Sequence, residues 1–153
     1  MKAVIQRVSQ AAVEVDHRVV GKIKKGFVVF LGINQQDMEE DADYLAEKII
    51  HLRIFQDKQD KMNLSLLDVA GEILIISQFT LYANTRKGRR PSFINAALPE
   101  KAEILYRYFI KKIKESKIKV SEGIFGAMML VHIHNDGPVT IIIDSEDRYK
   151  SRT

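Results

Sequence analysis

Asn135-Asp136-Gly137-Pro138-Val139-Thr140 stands between two apolar runs, Met128 to Ile133 and Val139 to Ile143. Both runs are rich in β-formers, and Asn-Asp-Gly between them is turn chemistry. Read locally, the stretch predicts a strand, a tight turn and a second strand, a final hairpin. Pro138 sets φ and lacks an N–H donor. Gly137 escapes most of the restriction a proline imposes on its predecessor, and a Gly-Pro step can adopt a cis bond at modest cost. Such a corner is either an ordinary turn or a rigid presentation of backbone groups.

Working outward, the chain opens with strand patterns at Lys2 to Val8, Ala11 to Val15 and Val19 to Ile23, the last two around the turn Asp16-His17-Arg18. Phe27 to Ile33 reads as a buried central strand. Connections this short predict an antiparallel meander. Asp37 offers a helix N-cap with Glu40 in capping-box spacing, and Met38, Ala42, Leu45, Ala46, Ile49 and Ile50 share one helical face. Ile54-Phe55 and Leu64 to Leu67 read as short extended pieces around a polar loop, Gln56 to Asn63, and Glu72 to Gln78 as another strand. Pro99 suits the first turn of a second helix, with Ala102, Leu105, Tyr106, Phe109 and Ile113 on its apolar face. Val120 to Gly126 reads as a connection, and the charged tail from Glu146 as frayed. The expectation is one α+β domain over residues 1–153, rich in antiparallel strands, with two main helices.

At 153 residues the chain is long enough for a real core, and no apolar run approaches bilayer length. There is no signal-peptide pattern and no cysteine, so disulfides, zinc-thiolate sites and cysteine nucleophiles are excluded and a cytoplasmic location is expected. A net charge of +4 favours an anionic partner. Lysines and arginines gather at Lys22-Lys24-Lys25, at Arg86-Lys87-Gly88-Arg89-Arg90 and along Lys111 to Lys119. Taken singly, such clusters are solvated surface. The cluster at Arg86, Lys87, Arg89 and Arg90 differs because it follows closely on Ser77-Gln78-Phe79-Thr80.

Ser77 and Thr80 end an apolar strand, where side chains leave the core, and are the hydroxyls placed in a candidate site. A hydroxyl nucleophile needs an adjacent base, and the histidines that could approach are His132 and His134. These two share one face of a strand and are too few for a metal site, so they are read as structural. Gln78 and the backbone amides near Phe79 and Thr80 could instead polarise a carbonyl. Neither a Walker loop nor a dinucleotide fingerprint is present, and nothing calls for a cofactor or a metal.

The residues resemble the D-aminoacyl-tRNA deacylases of the tRNA-editing type. The resemblance is carried by Met1-Lys2-Ala3-Val4-Ile5-Gln6-Arg7-Val8, Phe30-Leu31-Gly32-Ile33, Ser77-Gln78-Phe79-Thr80-Leu81-Tyr82-Ala83, Lys87-Gly88-Arg89-Arg90-Pro91-Ser92-Phe93 and Asn135-Asp136-Gly137-Pro138-Val139-Thr140. It is nearly full-length, and the motifs stand in the family's order. It implies a homodimer of β-barrel-like subunits with helices outside and active sites at the subunit interface. It implies hydrolysis of the ester between a D-amino acid and the terminal adenosine of tRNA. In that family Gly137 and Pro138 would form a cis step reaching into the partner's site and excluding L-amino acids by clash, held by Arg7. Ser77, Gln78, Phe79 and Thr80 would line the pocket, with Met129 nearby. Glycine mischarged on alanine tRNA would be a second substrate. Ile124 and Met128 stand where polar or charged residues are expected in the family, so any role at those two positions is not carried over.

Two other classes remain open from the residues. One is an esterase or amidase using Thr80 or Ser77 as nucleophile. The other is a basic RNA-binding module without catalysis. For the deacylase itself, Thr80 attack competes with activation of water by the terminal 2′-hydroxyl, and the lack of an evident base favours the latter.

Overall fold

The computed structural model describes residues 1–151, and the organising strand is β1 (Lys2–Val15), 14 residues long. Its neighbours on one edge are β3 (Gly26–Gly32), along Lys2 to Val8, and β2 (Arg18–Ile23), along Ala11 to Val15, all antiparallel. The meander expected from the short connections is therefore present, although the first two expected strands are one.

The other edge of β1 corrects the hairpin. The two apolar runs around Gly137 do not pair with each other; they form one strand, β8 (Leu130–Asp144), antiparallel to β1 over nearly its whole length. Gln6 faces Thr140 and Val8 faces Asn135, so the four residues Asp136 to Val139 bulge out opposite Arg7 alone. Local pattern cannot separate a hairpin from an interrupted strand, because each arm only needs an edge to pair with. β1 is long enough to offer both arms the same edge.

The interruption has a structural consequence on β1 as well. Ala3 and Ile5 enter one apolar cluster, whereas Val8, Ala11 and Val13 enter a second. A slip of register exchanges the faces of a strand, which is what the irregular pairing around Val8 does.

The sheet continues from β3 to β6 (Glu72–Ser77) and β7 (Lys119–Glu122), both junctions parallel. Parallel neighbours need crossovers, supplied by α1 (Glu39–Ile50) with the small hairpin β4 (Phe55–Gln56) and β5 (Met62–Leu64), and by α2 (Pro99–Glu115). β7 occupies part of the expected connection Val120 to Gly126, too short to announce itself by alternation. The Ser121 hydroxyl donates to the Lys22 carbonyl of β2 at 3.0 Å, drawing the two ends of the sheet together into a nearly closed barrel-like wall. The fold is thus α+β, with a mixed sheet and two helices, as expected.

The larger cluster lies between sheet and helices. It takes Ala42, Leu45, Ala46, Ile49 and Ile50 from α1, and Ala102, Leu105, Tyr106, Phe109 and Ile113 from α2, as the helical spacing predicts. Met38, counted on that face, is exposed instead. Each large side chain buried there contributes about 1.5–3 kcal/mol, and the Tyr106 hydroxyl is satisfied by the Ile75 carbonyl at 2.8 Å.

Two terminal details depart from expectation. Helix α1 is capped at Met38, whose N–H donates to Asp41 at 2.9 Å; Asp37 accepts from the Asn34 N–H at 2.7 Å and the Met1 amino group at 2.5 Å. The carboxylate expected as a cap is thus used in a buried tie. The tail, expected to fray from Glu146, forms a 3₁₀ turn over Ser145–Tyr149, with Arg148 3.3 Å from Asp41. The charge pattern that suggested fraying supplies the docking ion pair. The last two residues of that tail lie outside those described.

Candidate active site

Ser77 ends β6 beside Leu31 of β3, and the chain then folds into a 3₁₀ turn, Phe79–Tyr82. The Gln78 N–H donates to the Leu31 carbonyl at 2.8 Å, laying the turn across Gly32. A Cβ at Gly32 would stand 2.9 Å from the Leu81 Cβ and 3.0 Å from the Gln78 carbonyl oxygen, so the close approach depends on glycine. This explains a glycine at the end of an otherwise apolar strand.

The turn is open. Ser77 and Gln78 are half-buried, while Phe79 and Thr80 are exposed. The Gln78 side-chain amide donates to Thr80 Oγ1, the hydroxyl's partner among the described residues. That partner is a donor, so it cannot take the hydroxyl proton. Tyr82 offers no base either: burial, with added repulsion from Asp37 and Asp144, pushes its phenol well above the ordinary range and keeps it protonated. His132 and His134 lie elsewhere, with His132 2.8 Å from Glu14 and His134 beside Gln10. The histidines thus do not reach Thr80. The N–H groups of Phe79 and Thr80 open the turn, where first-turn donors lack an intrahelical acceptor and are free to polarise a carbonyl.

Met129 packs at Gly123 and against the cluster that holds Ile76, one residue before Ser77 in sequence. One further element meets the turn. Phe93 makes an edge-to-face contact with Phe79, centroids 5.0 Å apart, bringing the loop of Arg86, Lys87, Arg89 and Arg90 alongside. All four basic residues are exposed, and the lysines and arginines that pair with carboxylates belong to other parts of the surface. Ile124 and Met128 are exposed.

Gly137 and Pro138 form a second structure, apart from the first. The peptide between them is cis, both residues are exposed, and Gly137 has φ +137°. The strap is pinned from beneath. Arg7, 3% exposed, donates from Nε to the Asp136 carbonyl at 2.9 Å, and from Nη1 to the Ile54 carbonyl at 2.7 Å and Gln56 Oε1 at 2.9 Å. The Asn135 side chain closes the strap by accepting from the Val139 N–H at 3.0 Å and donating to Thr140 Oγ1 at 3.1 Å. A Cβ on Gly137 would fall 2.7 Å from Val139 Cγ2 and 3.0 Å from Arg7 Nη2.

The two structures do not meet within one chain. Ser77 lies in the row of Leu31 and Ala3, and the strap faces Arg7, four residues along β1. The offset is roughly 14 Å along the strands and three strand spacings of about 4.8 Å across them. An approximately 370 Å³ hollow lined by Lys22, Lys24, Lys119, His132 and His134 lies elsewhere on the surface.

Sequence reading missed Gln56 and the Ile54 carbonyl, because a short polar loop carries no sign that it will dock on an arginine from β1. The roles of Asn135 and Thr140 had a signal, a side-chain acceptor and a hydroxyl flanking a Gly-Pro step, which the hairpin reading absorbed.

The model of a family described as D-Tyr-tRNA(Tyr) deacylase matches residues 4–144. A relative from Aquifex aeolicus (strain VF5), named D-aminoacyl-tRNA deacylase, is 59% identical over 147 residues, spanning 96% of this chain and 99% of its own. One of the same name from Thermosipho melanesiensis (strain DSM 12029 / CIP 104789 / BI429) is 58% identical over 147 residues, spanning 95% and 98%. Among solved structures, the c-Myc DNA Unwinding Element Binding Protein superposes with a TM-score of 0.88 at 40% identity, over 94% of this chain and 98% of that one. A probable eukaryotic D-amino acid tRNA deacylase, at 19% identity, shares the fold with a TM-score of 0.81 over the same shares. With a family match spanning nearly its whole length, this chain belongs to the D-Tyr-tRNA(Tyr) deacylase family.

Proposed function

We propose that this protein hydrolyses the ester of D-aminoacyl-tRNA in the cytoplasm, releasing free D-amino acid and tRNA. The observation that carries the reading is the strap at Gly137 and Pro138, projecting into solvent yet clamped by the buried Arg7. A rigid backbone corner can reject one enantiomer without reading the side chain, so many D-amino acids enter while L-amino acids clash. Glycine has no side chain to clash, and glycyl-tRNA mischarged on alanine tRNA is the second substrate of the same filter.

The protein works as a homodimer, each strap standing over the Ser77–Thr80 turn of the partner. The separation of strap and turn within one chain supports this arrangement, as does the openness of the turn. Gln78, Phe79 and Thr80 position the ester and polarise its carbonyl, with Ser77 and Met129 shaping the floor. The terminal 2′-hydroxyl activates the attacking water. The donor contact from Gln78 to Thr80, with no base beside it, favours this route over a Thr80 acyl-enzyme.

Matched D-tyrosyl- and L-tyrosyl-tRNA test the reading directly. Cleavage of the D-ester with the L-ester spared supports it; cleavage of both rejects the strap as a filter; cleavage of neither rejects the activity. Arg86, Lys87, Arg89 and Arg90 hold the tRNA backbone. Neutralising all four should weaken tRNA binding and flatten its salt dependence by roughly 0.7–0.9 in log–log slope for each phosphate left without its cation. An unchanged slope places the tRNA elsewhere.

A further inference from the structure

We infer that Gln56 is a positioning residue for the strap, acting through Arg7, and so helps set the preference for D- over L-aminoacyl esters. The inference rests on the strap being the filter proposed above. A buried guanidinium normally faces a carboxylate. Arg7 instead spends its described bonds on three uncharged oxygens: the Asp136 carbonyl on the strap, the Ile54 carbonyl and Gln56 Oε1. Gln56 belongs to β4, the first strand of the β4–β5 hairpin, and Ile54 immediately precedes that strand, in the crossover between α1 and β6. One planar fork therefore ties the strap to a separate segment of chain.

Each of those oxygens has a different standing. The Asp136 carbonyl is part of the strap and moves with it. The Ile54 carbonyl is main chain and is held by the fold. Gln56 Oε1 is the one side-chain oxygen, and its orientation follows from chemistry, since only the amide oxygen can accept from Nη1. It shares Nη1 with the Ile54 carbonyl, so that nitrogen is held from two segments and the guanidinium is braced against rotation about its stem. Rotation would carry Nε away from the Asp136 carbonyl and release the strap. A charge-assisted bond of this kind is roughly twice as strong as a neutral one. Its loss leaves Nη1 on the Ile54 carbonyl alone and loosens the fork.

Asn135 closes the strap on itself, its side chain bonding within the strap and to Thr140. It preserves the shape of the corner. The Gln56–Arg7 contact places that corner relative to the barrel, which is what a clash read across a subunit boundary requires.

The test uses the protein and three variants: Gln56→Ala, Gln56→Glu, which keeps an acceptor oxygen, and Ile113→Val, which trims a core residue of α2. Two quantities are measured: kcat/KM for matched D- and L-tyrosyl-tRNA, and exchange of the Arg7 Nε proton by NMR. Gln56→Ala should raise the L-to-D ratio about tenfold, the scale of one missing bond to a charged group, with faster Nε exchange. Gln56→Glu should restore both, and Ile113→Val should move neither. Unchanged Nε exchange in Gln56→Ala overturns the inference, because Gln56 then does not hold Arg7. Faster exchange with an unchanged ratio also overturns it, because Arg7 then does not place the filter. A wild-type protein that cleaves both enantiomers equally instead rejects the filter reading itself, a result the exchange measurement separates from failure of the Gln56 link.

Discussion

The Ser77–Thr80 turn and the Gly137–Pro138 strap are opposite solutions to presenting backbone at a surface. The turn is held by a main-chain bond to Leu31, a close approach at Gly32 and the Phe79–Phe93 contact, and Phe79 and Thr80 stand open. The strap is exposed too, yet a buried arginine, an asparagine and a hydroxyl fix it from within. An element that accepts a substrate can be completed by the substrate. An element that rejects one must already be in place, since a yielding clash rejects nothing. Under the proposed function, the bonding of each region follows that division.

The sharpest way to break the comparison is Arg7→Ala. It removes the bonds to Asp136, Ile54 and Gln56, leaves the buried Ile54 carbonyl without its donor and opens a cavity under the strap, so denaturant unfolding should show a loss of about 3 kcal/mol or more. L-ester cleavage should rise at the same time. A variant that keeps both its stability and its discrimination would show that the strap needs no anchor.

Gly137→Ala comes next. The positive φ and the contact near Arg7 together predict a loss of about 2 kcal/mol by the same measurement. Its L-to-D ratio should move as well, which separates a filter from a plain turn.

Asp41 serves as a contrast, since it touches neither region. Burial pushes its carboxyl up, but the Met38 N–H, Ser145 and the charges of the Met1 amino group and Arg148 outweigh burial and hold it below the ordinary range. A carboxyl lowered in the folded state stabilises above its unfolded pKa, and that contribution is lost as pH falls through the folded value. Asp41→Asn should therefore cost about 1 kcal/mol at neutral pH. The deficit should close as the pH is taken below the ordinary carboxylate range, with the L-to-D ratio untouched throughout.

Thr80→Ala should have the smallest effect on folding, within about 0.5 kcal/mol, because the residue is exposed. With the 2′-hydroxyl activating water, measurable single-turnover cleavage should remain. A folded Thr80→Ala protein without residual turnover would make Thr80 the nucleophile.

Much of this architecture was legible in the order of residues. Helical spacing placed Leu45 and Ile49 of α1 and Phe109 and Ile113 of α2 in one core, because a period of 3.6 leaves a single apolar face. The end of β6 at Ser77 was visible where its apolar run stops, and Gly137-Pro138 was visible as a special corner. The chain of motifs from Arg7 to Thr140 carried the family resemblance. These are properties of neighbours in sequence, and local sterics and periodicity determine them.

Only the tertiary structure decided what those local pieces pair with. The arms around Gly137 satisfy a hairpin and an interrupted strand equally well; the free edge of β1 made them β8. Asp37 fits a helix cap, yet in the fold it receives the Met1 amino group. Gln56 lies in an ordinary polar loop until the crossover sets it 2.9 Å from Arg7, 49 residues away in sequence. Hydrogen-bond partners at that separation depend on how layers stack, and no periodicity encodes them. Residue chemistry determined what each group can donate or accept, and packing decided which group receives it.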